Sequence, residues 1–366
     1  MKKQPIQIVF ILMIFLFIGC SWKNINETKN PLKKPKNIIL FIGDGMGIAQ
    51  LNAGMDVIDR PLFLESFSYS GLSKTYSFDD YVTDSGAGGT AIACGIKTRN
   101  GMIGTAPDST AVTSIIEIAH KNGLATGVMS TSAITHATPA SFVAHNADRG
   151  NYEDIAKDFL NGTLDLFIGG GEDHFRKRAD SADLVVKLRE QGFDVVSTID
   201  ALKLSKSAKI AGLLAKEHMP SALNGRQGML EEMTKKALET LSRDKDGFFL
   251  MIEGSMIDWG AHARNLLYVA AEVIDMDNAI GVAREFADLN GETLIVVTAD
   301  HETGGLTLVG GNKKERSIEG NFIPTGNHTG VMVPIFSYGP GAERFSGIHE
   351  NTFFLQEFLD LLNIKK

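Results

Sequence analysis

Four short segments of the chain carry acidic and histidine side chains, and each segment directly follows an apolar run. The side chains are Asp44; His136 with Thr138; Glu253, Asp258 and His262; and Asp300 with His301. Imidazole and carboxylate groups are the ligands that zinc and similar divalent metals prefer in proteins. One such group alone is more often a helix cap or a hydrogen-bonded surface group. Four of them in the same position relative to an apolar run indicate a metal centre.

Two of these pairs have spacings suited to a shared ion. Asp258 and His262 are four residues apart, so one turn of helix would place both side chains on the same face. Asp300 and His301 are adjacent, and both could reach one ion from a loop. We therefore expect a helix to present the first pair and a loop to present the second.

A candidate nucleophile lies in the segment VTDSGAGGT, residues 82–90. Ser85 has no histidine near it in the sequence, and the chain has no G-x-S-x-G motif. Metal coordination can activate a hydroxyl without a histidine base. A helix over 86–94 would place Ser85 at its N-terminus, where free N–H groups favour a phosphoryl anion. Glycines weaken a helix but allow close approach, so their presence after Ser85 favours a crowded site.

The elements that position these residues follow from apolar runs alternating with helical patterns. Short continuous apolar strands between helices are typical of a mostly parallel sheet covered by helices on both faces. The predicted strands span 37–42, 124–129, 164–168, 193–197, 248–252, 293–298 and 332–338. The predicted helices span 47–59, 86–94, 111–121, 151–160, 180–191, 226–242, 266–288 and 351–362. Ligands of such sheets bind beyond the carboxyl ends of the strands, where the candidate metal ligands lie.

The composition favours one large α/β domain over residues 36–366, with 200–226 as its least regular stretch. The chain has 366 residues, 43% of them hydrophobic, which is ample for one core. Its net charge of −8 argues against nucleic acid as the main partner. The remaining histidines have no partner at metal spacing, and we expect them on the surface or in the core. They are His120, His145, His174, His218 and His349.

The N-terminus has the pattern of an export signal. Lys2 and Lys3 precede an apolar run, residues 6–19, that is short for a membrane span and ends at Cys20. A glycine directly before a cysteine resembles a bacterial lipoprotein cleavage site. We therefore expect a signal peptide at 1–19, a lipid on Cys20, and a protein anchored to a bacterial membrane and facing the periplasm. An ordinary signal peptide or an uncleaved anchor is the alternative.

The segment after the signal, residues 20–35, is polar and basic, and it is expected to form a flexible tether. The other cysteine, Cys94, lies in a stretch of small apolar residues. With Cys20 lipidated, the mature domain cannot form an internal disulfide. We expect Cys94 to be a buried structural thiol.

Six motifs together resemble the alkaline phosphatase family, in the order found in that family. They are GDGMG, VTDSGAGGT, ITHATPASFVAH, EGSMIDWGAH, TADHETGG and NHTG, and the resemblance runs from about residue 36 to residue 363. It implies that Ser85 is the catalytic nucleophile that becomes phosphorylated. It also implies that Arg149 grips two oxygens of the phosphate, that the substrates are small phosphate monoesters, and that the protein can form a homodimer.

The same resemblance implies three metal ions. Asp258, His262 and His328 match the ligands of one zinc. Asp44, Asp300 and His301 match those of a second zinc, which would also activate Ser85. Glu253 and Thr138 match ligands of a third ion, usually magnesium, to which Asp44 would bridge and beside which His136 lies.

Two positions differ from the best-studied bacterial member of the family. His136 stands where that enzyme has an aspartate beside the third metal, and Trp259 stands where it has a lysine that helps to hold phosphate. Other members carry these variants, so they bear on metal preference and phosphate affinity rather than on activity.

Other functions remain open at this point. A related two-metal phosphodiesterase or phosphonate hydrolase is the main alternative, and a non-catalytic metal-binding lipoprotein is the other. A sulfatase is disfavoured because Ser85 lacks the C/S-x-P-x-R context. Diesterases often use threonine as nucleophile and need no Arg149, so Ser85 and Arg149 together favour a monoesterase.

Overall fold

The structure, a computed structural model, describes residues 34–366, and its largest element is a ten-stranded sheet. The strands are β1 Asn37–Gly43, β2 Tyr69–Lys74, β3 Ala125–Ala133, β4 Leu166–Gly170, β5 Asp194–Val196, β6 Ile210–Leu213, β7 Phe248–Gly254, β8 Thr293–Thr298, β9 Glu302–Thr303, β10 Thr307–Asn312, β11 Ser317–Asn321, β12 His328–Thr329, β13 Val333–Tyr338 and β14 Gly347–Glu350. The order across the large sheet is β14-β2-β13-β8-β1-β7-β3-β4-β6-β5. β13 runs antiparallel to β2 and β8, whereas the other neighbours are parallel. The predicted mostly parallel α/β sheet is confirmed.

Helices lie between the strands along the chain. They are α1 Ile48–Val57, α2 Ser85–Cys94, α3 Ile115–Lys121, α4 Ala137–Ala140, α5 Tyr152–Asp158, α6 Glu172–Arg176, α7 Leu184–Glu190, α8 Ile199–Leu204, α9 Met229–Leu241, α10 Met256–His262, α11 Leu266–Asn290 and α12 Phe353–Leu362. Short 3₁₀ turns span Phe63–Ser66, Ala222–Asn224 and Ala342–Phe345. Within residues 34–366, none of the helices combines the length and apolar character that a membrane crossing requires.

Strand β1 shows why the central strands are continuous apolar runs in the sequence. Ile38 and Leu40 belong to the hydrophobic core on one face of the sheet, and Ile39 and Phe41 belong to the core on the other face. All four side chains are fully buried. Successive residues of a strand point to opposite faces, so a strand covered on both sides has no polar face. The expected double covering of the sheet is confirmed.

Two small sheets lie outside the large one. β9 pairs with β12, so that Thr303 lies opposite His328 and Glu302 lies opposite Thr329. β10 and β11 form an antiparallel hairpin between these two strands, and most of its residues are exposed. The chain between Gly305 and His328 thus forms a hairpin rather than an accessory domain.

All the predicted strands and helices are present, but several boundaries were wrong for identifiable reasons. The helix expected over 111–121 begins at Ile115, because Ser114 and Glu117 form a capping box there. The helix expected over 180–191 begins at Leu184, after Asp183 accepts hydrogen bonds from two backbone N–H groups. The caps, rather than the apolar pattern, set these starts.

Three strands of the large sheet were missed, and so were the four short strands of the two small sheets. β2 and β14 lie at one edge of the sheet and expose many of their residues, so they lack a continuous apolar pattern. β6 has only four residues and lies in the irregular stretch over 200–226. The predicted signal peptide at 1–19 and nearly all of the tether at 20–35 lie outside the described residues. Cys94 is buried, as expected.

Candidate active site

Neighbouring central strands bring the candidate ligands together at the carboxyl ends of the strands. β8, β1, β7 and β3 are consecutive in the sheet and parallel. Asp44 follows β1 directly, Glu253 is the penultimate residue of β7, and Asp300 follows β8 after one intervening residue. His136 and Thr138 follow β3, at the start of α4. The shared direction of the strands places these chain segments together, as the sequence predicted.

Ser85 is the first residue of α2 and faces candidate metal ligands. Asp84 caps this helix, accepting a hydrogen bond from the Ala87 N–H at 2.9 Å. Ser85 Oγ lies 3.4 Å from Asp44 Oδ2 and 3.2 Å from His301 Nε2. A side chain at Gly88 would press against the backbone and Cβ of Asp300 at 3.1 Å. The glycine is therefore needed for the close packing of α2 against the Asp300 loop.

Arg149 is held beside Ser85 by the same capping residue. Arg149 Nη1 donates to Asp84 Oδ2 at 2.9 Å, and the Gly101 N–H donates to that oxygen at 2.9 Å. The Arg149 side chain is only 25% exposed. Asp84 thus fixes both the start of α2 and the guanidinium of Arg149, and holds the two in a constant relation to each other.

The first group of possible metal ligands is Asp258, His262 and His328. Asp258 Oδ1 lies 3.3 Å from His262 Nε2 and 3.6 Å from His328 Nε2, and the two Nε2 atoms are 3.2 Å apart. Each Nδ1 lies within hydrogen-bond distance of a backbone carbonyl, at 2.7 Å for His262 and 2.9 Å for His328. A carbonyl only accepts, so each Nδ1 carries a proton, and Nε2 is the ring nitrogen that each histidine turns toward Asp258. Two ring nitrogens and a carboxylate thus converge on a place where a cation could be held.

The charges around this group reinforce the same conclusion. Burial would raise the pKa of Asp258, but the hydrogen bond with His262 and the neighbouring histidines hold it below its usual value. Asp258 is therefore a carboxylate in the folded protein. The predicted helical spacing of Asp258 and His262 is confirmed by α10, which carries both residues.

The second group surrounds His301. Asp44 and Asp258 lie near it as possible co-ligands, and Asp300 Oδ2 lies 3.3 Å from His301 Nε2. His301 Nε2 is also 3.4 Å from Asp44 Oδ1. Burial and the charge of Asp258 raise the pKa of Asp300 to about 8, and burial with the charge of Asp300 raises that of Asp44. Asp44 Oδ1 and Asp300 Oδ2 are buried without a hydrogen-bond partner.

The third group is Asp44, His136 and Glu253. Glu253 Oε1, His136 Nδ1 and Thr138 Oγ1 are buried without a hydrogen-bond partner. Burial lowers the pKa of His136 to about 3, so its imidazole is neutral and able to coordinate. Burial also raises the pKa of Glu253, and the hydroxyls of Ser130 and Ser255 act against that rise.

The residues of all three groups fit divalent cations. Buried carboxylates cost several kcal/mol each unless a positive charge compensates them, and Arg149 already pairs with Asp84. Buried polar atoms normally have partners, so several unpartnered oxygens and nitrogens aimed at common points call for ligands there. Metal ions would satisfy the orphaned atoms and the excess of negative charge together.

Several residues of the site were missed by sequence reasoning. His218 was expected to be an unpartnered surface or core histidine, but its ring lies 5.8 Å from that of His136 and 4.7 Å from that of Trp259. Thr303 Oγ1 donates to Asp258 Oδ1 at 2.5 Å and lies 3.3 Å from His301 Nδ1, so one hydroxyl links two groups of ligands. His218 lies in the irregular stretch, which gave no signal. Thr303 lies directly beside predicted ligands, and that proximity is the one clue the sequence offered.

A family model described as alkaline phosphatase matches residues 35–318. The chain belongs to the alkaline phosphatase family. Alkaline phosphatase 4 of Bacillus subtilis is 31% identical, with 96% of this chain and 94% of that protein covered. The alkaline phosphatase of Escherichia coli K12 is 31% identical, over 91% of this chain and 87% of that protein.

Solved structures of the family agree with the fold. The alkaline phosphatase of the Antarctic bacterium TAB5 has a TM-score of 0.87 and 44% identity, and the match covers 92% of this chain and 100% of that one. A histidine-to-aspartate mutant of the TAB5 alkaline phosphatase, described with Mg bound in its M3 site, gives a TM-score of 0.87 and 43% identity over the same shares of the two chains. The family resemblance and the single-domain α/β fold are confirmed. The protein is a metal-dependent phosphate monoester hydrolase.

Proposed function

We propose that this alkaline phosphatase works through a phosphoserine on Ser85, with two zinc ions and a magnesium ion as cofactors. The observation that carries the proposal is the position of Ser85 Oγ, at the N-terminus of α2 and within 3.4 Å of Asp44 and His301. When bound, the zinc ions would supply positive charge that eases the loss of the serine proton and offsets the charge on the leaving oxygen.

The residues of the chain would act in two displacements. Ser85 Oγ attacks phosphorus, the bond from phosphorus to the alcohol oxygen breaks, and the alcohol leaves with a proton. Water then attacks the phosphoserine, the bond to Ser85 Oγ breaks, and inorganic phosphate leaves. Through both steps, Arg149 donates two parallel hydrogen bonds to phosphate oxygens. The free N–H groups at the start of α2 face the same anion and favour its charge.

Each proposed ion has a set of ligands, and Asp44 belongs to two of the sets. Asp258, His262 and His328 would hold one zinc, and Asp44, Asp300 and His301 the other. Magnesium would take Asp44, Glu253 and Thr138, with His136 beside it. The orphaned buried atoms of these residues support the assignment, and so does the Mg described in the M3 site of the TAB5 mutant.

The experiment that tests the nucleophile is trapping of the covalent intermediate. Parent protein with defined zinc and magnesium is mixed with a phosphate monoester, quenched in acid and analysed by peptide mass spectrometry. We expect phosphate on the peptide that contains Ser85, and none in Ser85→Ala. Ser317→Ala changes an exposed serine of β11 and serves as the control. Phosphate retained on Ser85→Ala would refute the assignment.

A substrate panel tests the reaction class. Monoesters, diesters, phosphonates and sulfate esters are offered to the same metal-loaded protein. We expect monoesters to turn over fastest, and faster at alkaline pH, because Ser85 and the hydrolytic water must both lose a proton. Preference for a diester or a phosphonate would favour the alternative two-metal hydrolase. No turnover of any ester would favour a metal-binding lipoprotein.

We also propose that the protein is exported and anchored by a lipid on Cys20, facing the periplasm. Lys2, Lys3, the apolar run and the Gly19–Cys20 pair support this proposal. Mass spectrometry of the mature parent should find a lipid on residue 20 as the first residue. Cys20→Ala should lose both the lipid and the cleavage, and an unlipidated residue 20 in the parent would contradict the anchor.

A homodimer is the last part of the proposal. Apolar side chains of α1, β2, β13 and β14 line a groove of about 410 Å³, and Ile48 and Ile348 at its border are 59% and 62% exposed. A large exposed apolar surface favours a protein interface. Analytical ultracentrifugation should find a dimer for the parent and a shift to monomer for Ile348→Glu. A monomeric parent at micromolar concentration would contradict it.

A further inference from the structure

A cluster of three buried serines surrounds the carboxylate of Glu253. Ser130 and Ser132 belong to β3, and Ser255 lies between β7 and α10. All three side chains are fully buried. Three hydroxyls in a core of this kind need partners, because an unpaired buried polar group costs about 1–3 kcal/mol. Their partners are each other, one oxygen of Glu253, and two backbone groups of β3.

The hydrogen bonds converge on Glu253 Oε2 and leave Oε1 untouched. Ser130 Oγ donates to Oε2 at 2.7 Å, and Ser255 Oγ donates to the same atom at 2.6 Å. Glu253 Oε1 is buried and has no hydrogen-bond partner. The carboxylate therefore has one oxygen fixed by the protein and one oxygen free to bind a ligand.

Each hydroxyl has one proton, so the direction of these bonds can be assigned. Ser130 and Ser255 give their protons to the carboxylate, which can only accept. Ser132 Oγ, 2.8 Å from Ser130 Oγ, gives its proton to that atom or to the Ala133 carbonyl at 3.2 Å. The Ser132 N–H donates to Ser130 Oγ at 3.0 Å and to Ser255 Oγ at 3.1 Å. Ser132 thus supports the two donors without donating to Glu253.

The strand register places these groups together. In the parallel pairing of β3 with β7, Ser130 is the partner of Glu253. Ser255 follows Glu253 by two residues, and the Ser255 N–H donates to Thr131 Oγ1 at 2.9 Å. The hydroxyls therefore approach Glu253 from the neighbouring strand and from its own chain, and the carboxylate cannot rotate without losing both bonds.

We propose that Ser130 and Ser255 are positioning residues that hold Glu253 Oε1 toward Asp44 and His136, and so set the affinity of the third site for a divalent cation. The inference rests on the proposed third metal site. Outer hydrogen-bond partners of ligands commonly change metal affinity 10–100-fold when they are removed. Loss of either serine hydroxyl leaves Glu253 Oε2 with one donor fewer and lets the carboxylate turn.

The test measures binding of magnesium directly. Full-length protein loaded with zinc is dialysed against graded Mg²⁺, and bound zinc and magnesium are measured by mass spectrometry of the elements. Ser130→Ala and Ser255→Ala should bind Mg²⁺ about 10–100-fold more weakly with unchanged zinc. Ser132→Ala removes the same atom from the same cluster but leaves both donors to Glu253, so it should bind close to the parent.

A second variant separates positioning from a general loss of structure. Ser255→Thr keeps the hydroxyl and should keep most of the Mg²⁺ affinity that Ser255→Ala loses. Equal Mg²⁺ affinity in Ser130→Ala, Ser255→Ala and the parent overturns the serine inference alone. A parent that binds zinc but no Mg²⁺ overturns the proposed third site together with the inference. Equal losses in Ser255→Thr and Ser255→Ala, or in Ser132→Ala and Ser130→Ala, overturn the specific role of the two donors.

Discussion

Two clusters of buried charge in this protein contrast sharply. On α11, Glu272 and Asp275 both accept hydrogen bonds from the guanidinium of Arg226, which is fully buried. Glu272 also accepts from the Ala222 N–H at 2.7 Å, and Asp275 from the Gly228 N–H at 3.2 Å. At the carboxyl ends of β1 and β8, Asp44 and Asp300 are buried to a similar degree, yet each has an oxygen without a hydrogen-bond partner.

The difference separates structure from function. The arginine cluster supplies its own positive charge and fastens residues 220–228 to α11. The carboxylates of Asp44 and Asp300 depend on cations from outside the chain to compensate their charge. Breaking a buried ion pair by removing one partner lowers the stability of the fold by about 3–5 kcal/mol. The protein accepts such a deficit at the site where metals compensate it, which is where folding and function make opposite demands.

Ser85→Ala should have the largest effect, and it leaves the charged groups of both clusters in place. Loss of a nucleophile commonly lowers turnover by on the order of 10³-fold or more. Stability should stay near that of the parent, because a serine hydroxyl at the start of α2 is replaced by a methyl group of a good helix former. Monoester kinetics and thermal unfolding measure the two quantities. Turnover close to that of the parent would contradict the role of Ser85.

Arg226→Met tests the self-sufficient cluster. Removal of the guanidinium leaves Glu272 and Asp275 buried without a counter-charge, so unfolding should become easier by about 3–5 kcal/mol. The folded fraction should keep the parent turnover per molecule. Adding Glu272→Gln and Asp275→Asn should recover part of the stability, as followed by urea unfolding. A stable but inactive Arg226→Met protein would break the distinction between the two clusters.

Asp44→Asn tests the cluster that lacks a counter-charge. Its expected effect on stability is opposite in sign to that of Arg226→Met. Activity should fall strongly, because Asp44 belongs to two groups of ligands. The metal-free protein, however, should become more stable by about 1–3 kcal/mol, since one uncompensated buried charge is removed. Thermal unfolding in a chelator and with added zinc measures this. A destabilised metal-free variant would show that Asp44 is compensated by the protein itself.

The pair of His136→Asp and Trp259→Lys tunes the site rather than breaking it. Magnesium prefers oxygen ligands, so His136→Asp should strengthen magnesium activation, by about 10-fold or more. Trp259→Lys adds a cation, so inorganic phosphate should inhibit more strongly. Titrations of magnesium and of phosphate, each with the other variant as control, decide both points. Unchanged dependence in both variants would show that these residues do not set the metal and phosphate affinities.

The smallest effect is expected at a partly buried pair that is already hydrogen-bonded, Glu117 and His145. Their side chains lie 3.2 Å apart, and the hydrogen bond to Glu117 raises the pKa of His145. The pair therefore stabilises the fold when His145 is protonated, below its ordinary pKa, and this contribution is lost as the pH rises through the raised value. His145→Gln should lower stability by about 1 kcal/mol or less at pH 5.5, and by less at pH 9. Equal losses at the two pH values would remove the charge from the explanation.

The sequence predicted most of the site because the ligands follow apolar strands. Asp44 and Asp300 lie near the ends of runs that are buried on both faces, and the parallel arrangement forces such ends together. Ser85 was expected beside a helix and is the first residue of α2. The periodicity of apolar residues is a local property, so it can be read directly from the sequence.

Other parts of the site depend on pairings that no local pattern states. Serines such as Ser130 and Ser255 occur in many buried segments, so their presence gives no signal. Only the register of β3 with β7 shows that they contact Glu253. His218 lies in the loop between β6 and the 3₁₀ turn at Ala222–Asn224, where the sequence has no strand or helix pattern. The antiparallel direction of β13 likewise depends on its neighbours, since its own residues would suit either direction.

The short pairing of β9 with β12 makes the intervening chain replaceable. His328 keeps its place because it lies opposite Thr303, and a slip of one residue would turn its side chain to the other face. The exposed hairpin of β10 and β11 lies between β9 and β12 in the chain and takes no part in their two-residue pairing. Insertions or deletions in the hairpin can therefore occur during evolution without moving His328. In this segment, related proteins can acquire additional surface residues while the active site stays the same.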